Sequence, residues 1–137
     1  MVCLPAGRLT GVRILVLSDN DDLRELFGDA LRLSGAEVGV ARSASEALAL
    51  VQQQSPHVLV GDVVRAREDS YGLLRTIKGL GLRPPRGLAI SGGPQQYSRD
   101  ELLRAGYDAH LNKPLTMEML VEAVARLAGA EAPRMVS

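Results

Sequence analysis

His57-Val58-Leu59-Val60-Gly61-Asp62 is an apolar run that ends in a carboxylate. Pro56 bounds it on one side and a polar, irregular segment on the other, the pattern of a strand buried on both faces at the centre of a parallel sheet. In open α/β sheets ligands collect outside the carboxyl ends of the strands, so Asp62 is expected at the mouth of the binding crevice. Three other strand-like runs also end in polar groups: Ile14 to Leu17 in Ser18-Asp19, Gly87 to Ile90 in Ser91, and a last one in Lys113-Pro114. If those four ends are neighbours, they make a site.

The rest of the chain fits one α/β domain. Its 137 residues suffice to bury a core without disulfides or structural metal. Hydrophobic residues at 46% and charged residues at 23% exclude a disordered chain. Sixteen basic and sixteen acidic residues cancel, so the charge balance does not call for nucleic acid or an anionic membrane. Arg75, Lys78, Arg83 and Arg86 form a small basic group that reads as a solvated face. Cys3 is the only cysteine, which excludes an internal disulfide and points to a reducing compartment. No run approaches the roughly 18 apolar residues needed to span a bilayer, and 1–11 lacks the continuous apolar stretch of a signal peptide. A cytoplasmic protein is expected.

Taken in order, 1–11 is expected to be a flexible leader outside the core, 12–128 the domain, and 129–137 a tail. Val12 to Leu17 reads as the first strand. Ser18 to Asp22 supplies cap chemistry for a helix with Leu23, Leu26, Phe27, Ala30 and Leu31 on one face, ended by Ser34-Gly35. Asp21 and Asp22 suit that helix's N-terminus. Ala36 to Val40 is a short second strand, and Ser43 with Glu46 a capping box before a helix burying Ala47, Leu48 and Val51. Val63 to Ser70 reads as a polar loop, followed by a helix with Leu73, Leu74, Ile77 and Leu80 inward; Pro84-Pro85 forbids its continuation. Gly87 to Ile90 is the fourth strand. Ser98 and Glu101 make a second capping box, on a helix ending at Gly106, and Tyr107 to Asn112 is the fifth strand. Thr116 caps a last helix with Leu120, Ala123, Val124 and Leu127 inward. Five strands alternating with five helices across short loops predict a doubly wound, flavodoxin-like parallel sheet of order 2-1-3-4-5.

With these pieces in order, the chain resembles the receiver domain of two-component response regulators from about Val12 to Leu127. The matching segments are Ile14 to Leu26, Pro56 to Asp62, Asp69 ahead of Leu73-Leu74-Arg75, Ala89-Ile90-Ser91-Gly92, and Ala105-Gly106 through Lys113-Pro114. Leu9 to Ile14 and Ala109 to Pro114 look more particularly like receivers at the C-terminus of hybrid histidine kinases. The resemblance implies that Asp62 is a phosphoacceptor whose carboxylate attacks a phosphohistidine. It also implies Mg2+ held by Asp19, Asp62 and the backbone carbonyl of Val64, a sparse oxygen set suited to a cation that keeps several waters. Lys113 would neutralise a phosphoryl oxygen and Ser91 would hydrogen-bond another. For switching, the resemblance implies that Ser91 moves to the phosphoryl group and that His110, standing where the family has an aromatic residue, turns inward. Metal binding by His57 and His110 is not expected without further nearby ligands.

Three departures stand out. The family usually carries two adjacent acids after the first strand; here they are Ser18-Asp19, so Ser18 would hold magnesium only through a water and weaker metal binding is expected. Ala66-Arg67 replaces the usual Pro-Gly after the phosphoacceptor, and Ser70 stands where glycine is common. The resemblance implies a histidine kinase or histidine phosphotransfer protein as donor, and a downstream protein as receiver of the signal. A homodimer face, if present, would lie on the fourth and fifth helices, where Arg104, Asp108, Glu122 and Arg126 do not establish it. The chain is read as a phosphoacceptor and not as a turnover enzyme. The alternative is a pseudo-receiver, a binding module regulated without phosphate, for which Ser18 is the support. An aspartyl phosphatase fits poorly because Gly61-Asp62-Val63-Val64 lacks a second acid two residues after the nucleophile. A flavin protein fits worse, since the loops have no phosphate cradle and only four residues are aromatic.

Overall fold

A computed structural model describes residues 7–63, 69–92 and 97–131. Ten elements alternate: β1 (Arg13–Leu17), α1 (Asp21–Leu33), β2 (Glu37–Ala41), α2 (Ala44–Gln54), β3 (Val58–Asp62), α3 (Asp69–Gly79), β4 (Arg86–Ser91), α4 (Arg99–Arg104), β5 (Ala109–Asn112) and α5 (Met117–Glu131). The strands form one parallel sheet in the order β2-β1-β3-β4-β5, the doubly wound topology that the alternation of strands and helices predicts. β3 is the central strand and is buried along its whole length, as its unbroken apolar run requires.

Alternation along the strands divides the core in two. Ile14, Val16, Val58, Val60, Leu88 and Ile90 face α1 and α5 and pack with Phe27, Leu31, Leu120, Val121 and Val124. Leu15, Leu17, Leu59 and Ala89 face the opposite way and pack with Val51, Leu73, Leu74, Ile77, Leu102 and Tyr107. Burying both sheet faces is what turns each strand's carboxyl end into one rim of the molecule.

The helix ends follow from local chemistry. Asn20 caps α1 by accepting from Leu23 N–H, and Ser98 with Glu101 closes a complete capping box on α4. Ser43 caps α2, but Glu46 reaches back to the N–H of Arg42 rather than of Ser43, so only half of that expected box forms. Thr116 Oγ1 accepts from Met119 N–H at the start of α5.

Several expectations need correction. Leu9 is not outside the core: it is 1% exposed and packs against the α1 and α5 side. Its N–H donates to Ser34 O, and its carbonyl accepts from Val12 N–H. Gly35, at φ +101°, lets this turn close, because a Cβ there would stand 2.8 Å from Thr10 Oγ1. The segment's apolar content, diluted by glycines, hides a single anchoring side chain. Leu26 and Leu80 are 49% and 56% exposed; helical periodicity admits them to a face whose edge they occupy. The expected polar loop stops short of Asp69 and Ser70, which open α3, and α5 continues past 128 to Glu131. Tyr107 precedes β5 instead of starting it and is buried beside Gly61 and Gly87.

Candidate functional site

The carboxyl ends of β1, β3, β4 and β5 bring Ser18, Asp62, Ser91 and Lys113 to one rim. The parallel register fixes this placement: Leu17 pairs with Gly61, Asp62 with Ile90, and Ser91 with Asn112. Lys113 N–H donates to Ser91 O, which sets where the lysine leaves the sheet.

Asp62 is nearly buried, and each of its oxygens has its own donor. Lys113 Nζ lies 2.9 Å from Oδ1, and Ser18 Oγ donates to Oδ2 at 2.9 Å. The lysine remains partly exposed while the aspartate side chain is 3% exposed, so the ion pair has one face open to an incoming group. Ser18 is itself fixed. Its N–H donates to Ala41 O, its Oγ accepts from Asn20 N–H, and its carbonyl accepts from Arg24 Nη1 at 2.8 Å. Arg24 is held in turn by Asp21, whose carboxyl stays below its usual range because of that hydrogen bond and the guanidinium charge.

Ser91 Oγ is 2.8 Å from His110 Nε2 and 3.4 Å from Asn112 Oδ1. His110 and Asn112 are two apart on β5 and so share a face. The imidazole, expected to turn inward on phosphorylation, stands within hydrogen-bond distance of the Ser91 hydroxyl. Asp19 is exposed beside Ser18 and engaged in an interaction of its own. Val64, Ala66 and Arg67 lie outside the described residues, so the expected carbonyl ligand and the Pro-Gly replacement have no structural account here.

Two participants escaped the sequence reading. Asn112 sits immediately before Lys113, where strand alternation alone places it on the side of His110 and Ser91. Arg24 falls one turn into α1, at a position that reads as an exposed helix cation until the carbonyl of Ser18 is seen to need a donor.

A family model for the response regulator receiver domain matches residues 14–125. The chain belongs to that family. Among relatives, this receiver is 32% identical over 121 residues to an uncharacterised 14.6 kDa protein from Leptolyngbya boryana, covering 85% of this chain and 89% of that one. It is 34% identical over 110 residues to the response regulator MprA of Mycobacterium tuberculosis, covering 80% of this chain and 47% of MprA. The receiver thus spans about half of that longer protein. Among solved structures, the receiver domain of the Francisella response regulator 1452 superimposes with a TM-score of 0.78 at 22% identity, covering 89% of this chain and 100% of that one. FixJ-N gives a TM-score of 0.78 at 21% identity, covering 91% and 99%. At such identities the structural likeness speaks for the fold. No helix among the described residues is long and apolar enough to cross a membrane.

Proposed function

We propose that this receiver accepts a phosphoryl group on Asp62 from a phosphohistidine and signals through a changed protein surface. The observation that carries the reading is the Asp62 carboxylate at the end of β3, with Lys113 Nζ on one oxygen and the Ser18 hydroxyl on the other. In the transfer a carboxylate oxygen bonds to phosphorus, the phosphorus–nitrogen bond of the donor breaks, and the imidazole leaves with the bonding pair. Lys113 is placed to neutralise charge spreading over the phosphoryl oxygens of a loose transition state. Ser91 stands one strand away with a hydroxyl that can be redirected from His110 to a phosphoryl oxygen. That redirection is the proposed switch: a hydroxyl has one proton to give, so donating it to phosphate ends any donation to His110.

Magnesium fits the donor set, though with fewer charges than usual. Asp19 and Asp62 offer hard carboxylate oxygens from adjacent strand ends, and Ser18 supplies a neutral hydroxyl where a second acid is common. Asp19 and Asp62 would hold the cation, with Val64 O as the expected backbone ligand and Ser18 orienting a bound water. Magnesium there would supply charge neutralisation for the phosphoryl oxygens. The donor is a histidine kinase, in the same chain if the receiver ends a hybrid kinase, or a histidine phosphotransfer protein.

The second reading, a pseudo-receiver, is favoured by one observation: the Ser18 hydroxyl donates to Asp62 Oδ2, an oxygen that a cation would otherwise use. Magnesium-dependent binding of beryllofluoride, an acyl-phosphate mimic, separates the two. Binding by the wild type and its loss in Asp62→Asn is the expected result. Failure of the wild type to bind at saturating magnesium would favour the constitutive module.

A further inference from the structure

At the amino ends of β4 and β5, across the molecule from Asp62, lies a groove of about 530 Å³ between the end of α3, the turn that follows it, and the end of α4. Five cationic side chains from these separate elements converge on it, Arg75, Lys78, Arg83, Arg86 and Arg104, against one carboxylate, Asp108. The sequence alone shows the first four as a small basic group; the fold adds Arg104 from α4 and makes the face concave.

Asp108 does not neutralise the group. One of its oxygens accepts from Gly87 N–H at 2.8 Å and the other is 3.4 Å from Arg86 Nη1, so it is committed to holding β5 against β4. The side chains of Arg75, Lys78 and Arg104 are exposed and make no hydrogen bond or ion pair to any described residue. Gathering like charges in a concavity is unfavourable unless an anion takes them up. In a chain with no net charge, this local excess is a property of the groove.

We propose that this groove binds an oligophosphate chain, either free inorganic oligophosphate or the phosphate tail of a nucleotide. Arg75 and Arg104, two of the three cations with no side-chain partner among the described residues, are arginines, whose planar forks pair bidentately with phosphate oxygens. The volume lies within the range of small-ligand sites. Its walls include Leu74, Pro85 and Ala105 but no aromatic ring, so no aromatic side chain offers a stacking platform for a base, and recognition falls mainly on the phosphates. An acidic protein segment spreads its carboxylates along a chain, whereas an oligophosphate presents several charges at the spacing that one groove can enclose.

The test is calorimetric titration of the whole chain with tripolyphosphate, ATP and an oligoglutamate peptide in metal-free buffer, at low and physiological salt. Chemical-shift mapping on the wild type locates whatever binds. Tripolyphosphate is expected to bind, more weakly as salt rises, with shifts at α3, the following turn and α4. Arg75→Ala and Arg104→Ala are each expected to lower affinity about tenfold or more, while Arg75→Lys retains part of it. Asp62→Asn should bind as the wild type does, which keeps this result independent of the phosphoacceptor reading. ATP binding no tighter than tripolyphosphate would assign the groove to free oligophosphate, and tighter ATP with residual tripolyphosphate binding to a nucleotide tail. Binding of ATP alone, of oligoglutamate alone, or of none of the three would overturn the proposal, as would shifts confined to Lys113 and its neighbours.

Discussion

Asp62 has two carboxylate oxygens with two different donors, and the consequences of removing each donor differ. Lys113 contributes charge, so Lys113→Ala is expected to slow phosphoryl transfer by about 10²- to 10³-fold, the usual cost of deleting one electrostatic contact to a transition state. The check is the rate of label incorporation from a phosphodonor, with folding confirmed by circular dichroism. Ser18 contributes position. Because Ser18 is 1% exposed and Asp62 is buried, Ser18→Ala leaves Oδ2 without its protein donor, and a loss of about 1–3 kcal/mol in unfolding free energy is expected. Ser18→Asp should instead raise magnesium affinity, read by titration of the metal. Gly61 makes a sharper case. A Cβ there would stand 2.5 Å from Tyr107 Oη, and that hydroxyl is pinned to Ser70 O. Gly61→Ala is expected to cost about 1–3 kcal/mol by overpacking, and less in a Tyr107→Phe background, where the offending oxygen is gone. Equal costs in both backgrounds, measured by urea unfolding, would show that the clash is relieved some other way.

Between residues and fold, the elements decide which side chains become neighbours. The strands β3, β4 and β1 were legible because both faces are buried and the runs are therefore apolar throughout; the crossover helices made the sheet parallel, and the order was the commonest one for a sheet of this size. The leader was not, because Leu9, set between Gly7 and Gly11, carries no periodicity, and only packing against α1 and α5 reveals that it is a core residue. Arg8 secures the same turn to α5 through Glu122, with Nη2 to Oε1 at 2.8 Å. The hydrogen bond and charge of Arg8 hold the Glu122 carboxyl below its ordinary value of 4.5. A lowered folded pKa means that the contact supports the fold at neutral pH and is lost as pH falls through the folded value. Both groups are exposed, so the effect is small and salt-sensitive. Hydrogen exchange of the 7–11 turn should speed up in Arg8→Ala at neutral pH, and this difference from the wild type should shrink in acid. At α4, Ser98 and Glu101 were readable as a complete box, and Ser98→Ala is expected to destabilise this six-residue helix by about 1 kcal/mol. Because Tyr97 stacks on Tyr71 just before the cap, with centroids 4.0 Å apart, local exchange in α4 is the measurement to follow.

At the scale of the whole molecule, the sheet divides the chain into two chemical ends. Carboxyl ends carry the carboxylate, lysine and hydroxyls; amino ends of β4 and β5 carry the cationic groove. Asp62, Ser91 and Lys113 could be singled out from the sequence because each terminates a strand, and strand ends of a parallel sheet converge. What could not be read was the pairing at this rim: that Ser18 bonds Asp62 directly, and that His110 holds Ser91. Those contacts depend on rotamers and on how far each strand end projects, which no residue pattern specifies. The same holds for the basic group, whose four sequence neighbours look solvated until α4 brings Arg104 across from them.

The proposed function requires Asp62 to form an acyl phosphate. Intact-protein mass after incubation with a small-molecule phosphodonor and magnesium tests that most directly, on wild type and Asp62→Asn side by side. One added phosphoryl group on the wild type, removed by hydroxylamine and absent from the variant, is the predicted result. A wild type that gains no mass, or a variant that gains the same mass, would contradict it.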